Sequence, residues 1–240
     1  MLSDLITAIQ KQRPANIERY ISDLILNQKI YPQFMNNFTT VVAKDSKNEI
    51  RILVSPDYVS IGEDLDYLRV CLIPKTAQEI ADGMDSILPP YHCIDLIWKQ
   101  AKVQLNPSPY SPKKGEPART SFAASIKHNE KIQNQLKNQQ DFHLGDLVAG
   151  HKKDIVLTNK LTGTHNVAIY GWHKKNGEPI QGLNAIDHGN FYSDYSHGTR
   201  LIKNLCLVNG ISENIIKVLG EPELAELLLG VKVKLEFLRY

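Results

Sequence analysis

The sequence is poor in cysteine, in long apolar runs and in any excess of one charge. It has three cysteines in 240 residues, and none belongs to a Cys-x-x-Cys pair, which argues against a disulfide framework and for reduced thiols. No run of about 18 apolar residues occurs, as a transmembrane helix would require. The 28 basic and 26 acidic residues give a net charge of +2. The composition therefore lacks the electrostatic signature of a nucleic-acid or membrane-surface binder.

The N-terminal segment also lacks the unbroken apolar stretch of a signal peptide, because Lys11, Arg13 and Pro14 interrupt it. We expect the chain as given to be cytoplasmic, with export by a leaderless route left open. Its 42% hydrophobic and 22% charged residues are typical of a folded domain. The length suits one large domain or a core with a small addition.

Local patterns predict both helices and antiparallel strands. Apolar spacing and turn residues predict helices at these positions: 17–25, 76–83 after a Thr-x-x-Glu capping motif, 91–101, 213–219 and 222–229. Alternating and β-branched runs predict strands at these positions: 38–43, 49–54, 68–73, a meander of short strands over 146–207, and 231–237. Residues 106–117 are rich in proline and predict an exposed loop or lid. Residues 127–140 predict a solvated helix or partial disorder.

This order of elements predicts an α+β fold, because helices precede a mostly antiparallel sheet. We expect residues 1–75 to form an N-terminal addition of a helix and a hairpin. Residues 76–240 should form the main domain.

Cys93 is the first candidate for chemistry, because it lies in the first turn of the helix predicted at 91–101. Unpaired N–H groups at a helix N-terminus stabilise a thiolate, which is the nucleophilic form of cysteine. Cys71 and Cys206 lie in apolar strand runs and should be shielded, so Cys93 should be the most acidic thiol. A base is also needed, and His165 precedes a predicted strand that would hold it rigidly. The alternative is that Cys93 only fills space in the core.

Residues 187–198 combine histidine, aspartate and aromatic side chains, which is typical of ligand-binding loops held by a sheet. We predict a substrate-binding groove formed by Trp172, His188, Tyr192, Asp194, Tyr195, His197 and Lys152. A plainer alternative is that these side chains only satisfy turn backbones.

A metal site is a further alternative for the same region. Its ligands would be His151, His188, Asp194 and His197. Because no paired spacing such as His-Glu-x-x-His is present, we expect no metal and no other cofactor.

Four motifs follow one another in the order found in the NlpC-like cysteine peptidases of bacterial cell walls: Cys93 at a helix start, Gly-Asp-Leu-Val at 145–148, His165 before Val-Ala-Ile-Tyr at 167–170, and Asn-Gly at 176–177. Residues 88–207 therefore resemble that family. The resemblance implies a papain-like core, Cys93 as nucleophile and His165 as base. It also implies Gln181 or His173 as the residue that orients the base, and a cell-wall peptide as substrate.

Three hypotheses follow from these observations. The chain is a cysteine hydrolase or amidase that cleaves an amide bond in a cell-wall or other peptide. Alternatively it is a non-catalytic or effector-type ligand-binding module on the same fold, or a hydrolase that depends on a metal held by His and Asp. In each case we expect a peptide or peptidoglycan-like partner, and neither nucleic acid nor membrane.

Overall fold

The elements of the chain are described from a computed structural model that covers residues 2–183 and 186–240. The helices are α1 (Leu2–Gln10), α2 (Pro14–Leu26), α3 (Pro74–Gly83), α4 (Tyr91–Gln100), α5 (Phe122–Lys137), α6 (Ile215–Gly220) and α7 (Pro222–Leu229). The strands are β1 (Thr39–Lys44), β2 (Glu49–Val54), β3 (Ser60–Glu63), β4 (Asp66–Arg69), β5 (Ser86–Ile87), β6 (Val103–Gln104), β7 (Val148–Ala149), β8 (Lys153–Ile155), β9 (Ile169–His173), β10 (Pro179–Gln181), β11 (His197–Gly198), β12 (Ile202–Val208) and β13 (Ile211–Asn214). Mixed helices and antiparallel sheets confirm the α+β class.

Most of the predicted elements are present, with a few exceptions. α3 begins at Pro74, whose fixed φ suits the first helical position, so Thr76 lies inside the helix and does not cap it. Residues 231–237, predicted as a strand, are irregular. Residues 127–140 are mostly helical, since α5 runs to Lys137.

A five-stranded antiparallel sheet joins the N-terminal and C-terminal parts of the chain. Its strand order is β1-β2-β12-β13, and β5 also pairs with β12. The register places Ile52 of β2 opposite Cys206 of β12. The main hydrophobic core likewise extends from Ile9 to Leu235. The domain boundary predicted at residue 75 therefore passes through a shared sheet and a shared core, because β1 and β2 are completed by strands from the end of the chain.

A four-stranded sheet, ordered β10-β9-β8-β11, positions the candidate site. β8, β9 and β10 form an antiparallel meander, while β11 pairs with β8 in parallel. The register places Lys153 between Gly171 on one side and His197 on the other. The sheet thus brings three separate stretches of sequence next to one another.

Gly150 illustrates how tightly the chain packs beside this sheet. Its φ is +95°, a conformation that favours glycine. A Cβ at this position would lie 2.5 Å from the Leu105 carbonyl oxygen and 2.5 Å from the Trp98 ring. The turn between β7 and β8 therefore requires glycine on both grounds.

Candidate ligand-binding cleft

A cleft of about 440 Å³ opens between α2 and the segment 191–194. Its walls include Glu18 of α2, Cys71 after β4, Phe122 at the start of α5, and Tyr192 and Asp194. Two acidic residues, a cysteine and aromatic residues therefore line one cavity. Such a mixture of apolar surface and a few polar groups is characteristic of ligand pockets.

The segment that forms one wall is held by its own side chains. His188 stacks on Tyr192 with ring centroids 3.8 Å apart, and the Tyr192 hydroxyl donates to Asp194 Oδ2 at 3.1 Å. Ser196 donates its N–H and hydroxyl to Asp194 Oδ1 at 2.8 and 2.6 Å. Burial opposes ionisation of Asp194, but His197 and the Ser196 hydrogen bonds hold its pKa below the ordinary value. Asp194 is therefore a fixed, ionised carboxylate.

The predicted binding residues differ in how deeply they are buried. Tyr192 and Asp194 line the cleft, and His188 is exposed beside them. His197 and Tyr195 are buried below. The prediction that His197 helps to form the groove surface is therefore wrong, because β11 pairs with β8 and His197 is buried.

Cys71 and Lys152 meet behind the cleft wall. The Lys152 ammonium, fully buried, donates to the Tyr195 carbonyl oxygen at 2.8 Å and to Cys71 Sγ at 3.2 Å. Cys71 Sγ also lies 3.3 Å from the same carbonyl oxygen. The prediction that Cys71 is shielded in a strand is wrong, since β4 ends at Arg69 and the cysteine lies on the cleft wall.

Trp172 and His128 complete the polar interior around Tyr195. Trp172 has a φ of 57°, which is strained for a bulky residue, and its indole N–H donates to the His151 carbonyl oxygen at 3.2 Å. The His128 ring packs edge-on against Tyr195, with centroids 5.0 Å apart. Lys153 Nζ lies 5.0 Å above the Trp172 ring.

Sequence reasoning missed His128, although a signal existed. The apolar pair Ile132 and Leu136 marks one face of α5, and the same i,i+4 spacing extended backwards reaches His128 and Ala124. All four residues are buried.

Asp57, Arg69 and His151 form a buried ionic network. Arg69 Nε lies 3.0 Å from Asp57, and the same carboxylate lies 3.0 Å from His151 Nε2. Burial opposes the charge on Asp57, but Arg69 and His151 keep its pKa well below the ordinary value. Tyr58 donates to Asp154 at 2.8 Å in a neighbouring contact. These bonds fix the β7–β8 turn against the strands β3 and β4.

Cys93, the predicted nucleophile, is fully buried in the first turn of α4. Its sulfur lies 3.4 Å from the Leu228 carbonyl oxygen of α7. Burial, together with the nearby charge of Asp95, raises the pKa of Cys93 far above its ordinary value. The helix-end argument fails here because α7 covers the thiol and keeps water and substrate away.

The other predicted catalytic residues do not gather around Cys93. His165 is exposed, and its carbonyl oxygen accepts from the Asn190 N–H at 2.8 Å. The Gln181 amide donates to the Gly182 carbonyl oxygen at 3.2 Å. Within residues 2–183 and 186–240, no hydrogen bond or ion pair joins either side chain to the Cys93 sulfur. The predicted triad is therefore not assembled.

His173 belongs instead to a cluster on Asp95. Its Nε2 lies 2.8 Å from Asp95 Oδ1, and its ring stacks on Trp98 with centroids 5.4 Å apart. The Tyr170 hydroxyl donates to the same carboxylate at 3.0 Å. Although burial opposes ionisation, hydrogen bonds from His173, His92 and Tyr170 lower the pKa of Asp95. The cluster connects α4 to β9 and therefore has a structural role.

The ligands of the alternative metal site are also separated. His151 is bonded to Asp57 in the ionic network, whereas His188 is exposed. In the part of the chain that is described, no three His, Cys, Asp or Glu side chains are placed to hold a metal ion.

Comparison with protein-family models, curated proteins and solved structures finds no match for this chain. The resemblance to NlpC-like peptidases therefore stays a prediction. None of the described helices is long and apolar enough to cross a membrane.

Proposed function

We propose that the chain is a ligand-binding module that holds a short peptide in the cleft between α2 and residues 191–194. The observation that carries the proposal is the composition of the cleft wall, where Glu18 and Asp194 face a cavity that also has aromatic surface. Carboxyl oxygens accept hydrogen bonds from peptide N–H groups, and aromatic rings pack against side chains.

The cleft chemistry also favours a polar ligand over an apolar one. Burial raises the pKa of Glu18 to about 7, whereas Asp194 stays ionised. At neutral pH Glu18 is therefore partly protonated, whereas Asp194 carries a negative charge. Phe191, at the rim, is 81% exposed, so a bound ligand would remove a large apolar surface from water.

Calorimetry with a synthetic cell-wall stem peptide tests the proposal, with triglycine as a comparison peptide. Phe191→Ala should weaken binding about fivefold or more, because exposed aromatic anchors carry much of a binding energy. Leu65→Ala is the matched control, since Leu65 is 94% exposed in the β3–β4 turn and does not line the cleft. Absence of binding at millimolar peptide, or equal losses in both variants, would contradict the proposal.

A second candidate is hydrolysis of a bound peptide by Cys71, in a papain-like α+β fold. The contact of Cys71 Sγ with the Lys152 ammonium, 3.2 Å away on a cleft wall, favours it. A cation beside the sulfur can stabilise a thiolate, which is the nucleophilic form of cysteine. The sulfur would form a thioester with the acyl group while the thiol proton leaves with the amine. Water would then release the acid and restore the thiol.

The three cysteines provide their own controls for this second candidate. A limiting dose of iodoacetamide should label Cys71 first, because Cys93 and Cys206 are buried. If the purified protein releases amine from the stem peptide, Cys71→Ser should abolish release and Cys93→Ser should not. Release that survives Cys71→Ser rules out the thioester route.

A further inference from the structure

Cys71 and Lys152 form a close pair whose reactivity toward oxidants is independent of peptide binding. The Lys152 ammonium donates to Cys71 Sγ at 3.2 Å and to the Tyr195 carbonyl oxygen at 2.8 Å. Lys152 is fully buried, whereas Cys71 is partly exposed and lines the peptide cleft. A nitrogen and a sulfur from distant parts of the chain are therefore in direct contact where the interior meets the cleft.

The Lys152 ammonium has no carboxylate beside it. None of the ion pairs between residues that the structure describes includes Lys152, and its two acceptors are a carbonyl oxygen and a sulfur. A buried cation is costly unless an opposite charge compensates it, and a thiolate at Cys71 supplies that charge. The cation in turn can stabilise the thiolate, which is the form of cysteine that oxidants attack.

Backbone hydrogen bonds hold both members of the pair in place. The Val70 N–H donates to the Val59 carbonyl oxygen at 3.1 Å, and the Lys153 N–H donates to the Ser196 carbonyl oxygen at 2.8 Å. Val70 and Lys153 are the sequence neighbours of the cysteine and the lysine. Two groups that the fold holds in contact react far faster than the same groups free in solution.

We propose that Cys71 and Lys152 form a peroxide-sensitive covalent cross-link, a sulfenamide bond between Sγ and Nζ. Hydrogen peroxide is the oxidant, and it reaches the sulfur from the cleft, because Lys152 is buried on the other side. This modification goes beyond the proposed function. It needs no bound peptide, so either proposal can fail alone.

The reaction balances with one molecule of peroxide. The Cys71 thiolate attacks one peroxide oxygen, the O–O bond breaks, and a sulfenic acid and hydroxide form. Hydroxide takes a proton from the Lys152 ammonium and becomes water. The neutral amine then attacks the sulfur, so that the S–N bond forms and the S–O bond breaks. The departing hydroxide takes a second proton from the nitrogen, the sulfur has lost two electrons to the peroxide, and two water molecules have been released.

The cross-link changes the cleft wall. It joins the segment after β4 to the turn before β8 and removes the thiol from the cleft. Linked Cys71 cannot form the thioester of the second candidate function, so peroxide switches that activity off. Reduction of the S–N bond by a thiol restores both side chains, because sulfenic acid and its condensation products are reversible states of cysteine.

The other two thiols are internal controls. Cys93 Sγ lies 3.4 Å from the Leu228 carbonyl oxygen, and Cys206 Sγ lies 3.5 Å from the Glu213 carbonyl oxygen. In the described part of the chain, neither sulfur has a hydrogen bond to a lysine nitrogen. Burial raises the pKa of both thiols, that of Cys206 to about 11. Neither should form the link, and peroxide should oxidise both later than Cys71.

Peptide mapping by mass spectrometry tests the inference in the intact chain. The folded protein is treated with a small molar excess of hydrogen peroxide and is then digested without a thiol reductant. A peptide pair that joins Cys71 to Lys152 should appear, with the summed mass of the two peptides less two hydrogen atoms. Dithiothreitol should separate this pair, since a sulfenamide is reducible.

Lys152→Met should abolish the link and leave Cys71 to oxidise further to sulfinic acid. Lys153→Met is the matched control, because its Nζ lies 5.0 Å from the Trp172 ring centroid and contacts no cysteine, and the link should form there as in the wild type. Should Lys152→Met not fold, the wild-type map decides alone. Cys71 recovered without the link, as thiol, sulfenic acid or sulfinic acid, overturns the inference, as does an equal yield of lysine link at either control cysteine.

Discussion

Replacing Glu18 with glutamine should stabilise the protein at alkaline pH and leave its stability unchanged at acid pH. Glu18 lies on α2, and its Oε2 is buried. Its other oxygen accepts from the Ile73 N–H at 3.2 Å. Burial is the largest influence and raises the pKa of this carboxyl from 4.5 to about 7, against smaller opposing effects of Thr76 and Ile73.

The direction of the pH dependence follows from proton binding. The unfolded chain releases the Glu18 proton near pH 4.5, whereas the folded protein keeps it until about pH 7. Between these values the folded state binds more protons, so the free energy of unfolding falls as pH rises. The stabilising effect of the protonated carboxyl is complete below pH 4.5 and is lost above pH 7.

The magnitude follows from the same two values. A difference of about 2.5 in pKa corresponds to about 3 kcal/mol at about 1.4 kcal/mol for each unit. Glutamine resembles the protonated acid in shape and stays neutral at every pH. At pH 8 the Glu18→Gln variant should therefore be more stable by about 3 kcal/mol, or roughly 6–12 °C in Tm for a chain of this size.

Urea denaturation of both proteins at pH 4, 5.5 and 8 measures the effect. The difference should be near zero at pH 4, intermediate at pH 5.5 and largest at pH 8. Glu79→Gln, at an exposed position of α3, is the control and should show no such trend. A difference that does not vary with pH, or that is absent at pH 8, refutes the assignment of a buried, protonated carboxyl.

Three further substitutions test the packing by urea denaturation. Arg69→Met should cost about 3–5 kcal/mol because it removes the guanidinium that pairs with the buried Asp57 carboxylate. Arg51→Met, at an exposed pair, should cost less than about 1 kcal/mol, and similar costs would argue against the buried network. Gly150→Ala should cost several times more than Gly163→Ala, since both have positive φ but nothing lies within 4 Å of a Cβ at Gly163. His197→Ala should lose about 2 kcal/mol of stability, as buried residues commonly do, and an unchanged midpoint would show that the ring packs less closely than described.

Local sequence patterns were sufficient for most of the regular structure. The helical spacing of Ile17, Ile21 and Leu24 predicted α2, and the polar turn after Ala43 predicted the hairpin of β1 and β2, because periodicity and turn chemistry act over a few residues. The aromatic and acidic composition of residues 187–198 also identified the segment that forms a wall of the cleft.

Local sequence patterns could not predict the role of each cysteine. Cys93 has the helix-end position that favours a reactive thiol, yet α7, whose Leu228 lies 135 residues away in sequence, covers it. Cys71 is in an apolar run, yet it meets Lys152 from 81 residues away. Reactivity depends on exposure and neighbouring charge, and both are set by packing between distant segments.

The sequence by itself determined the α+β class, the main helices and hairpin, and the segment at the cleft. Only the tertiary structure decided that β2 pairs with β12, that His197 is buried beside Lys153, and that His128 belongs to the same polar interior. The physical reason is range: backbone preference is encoded within one or two turns of chain, whereas burial and ionisation are properties of the assembled neighbourhood.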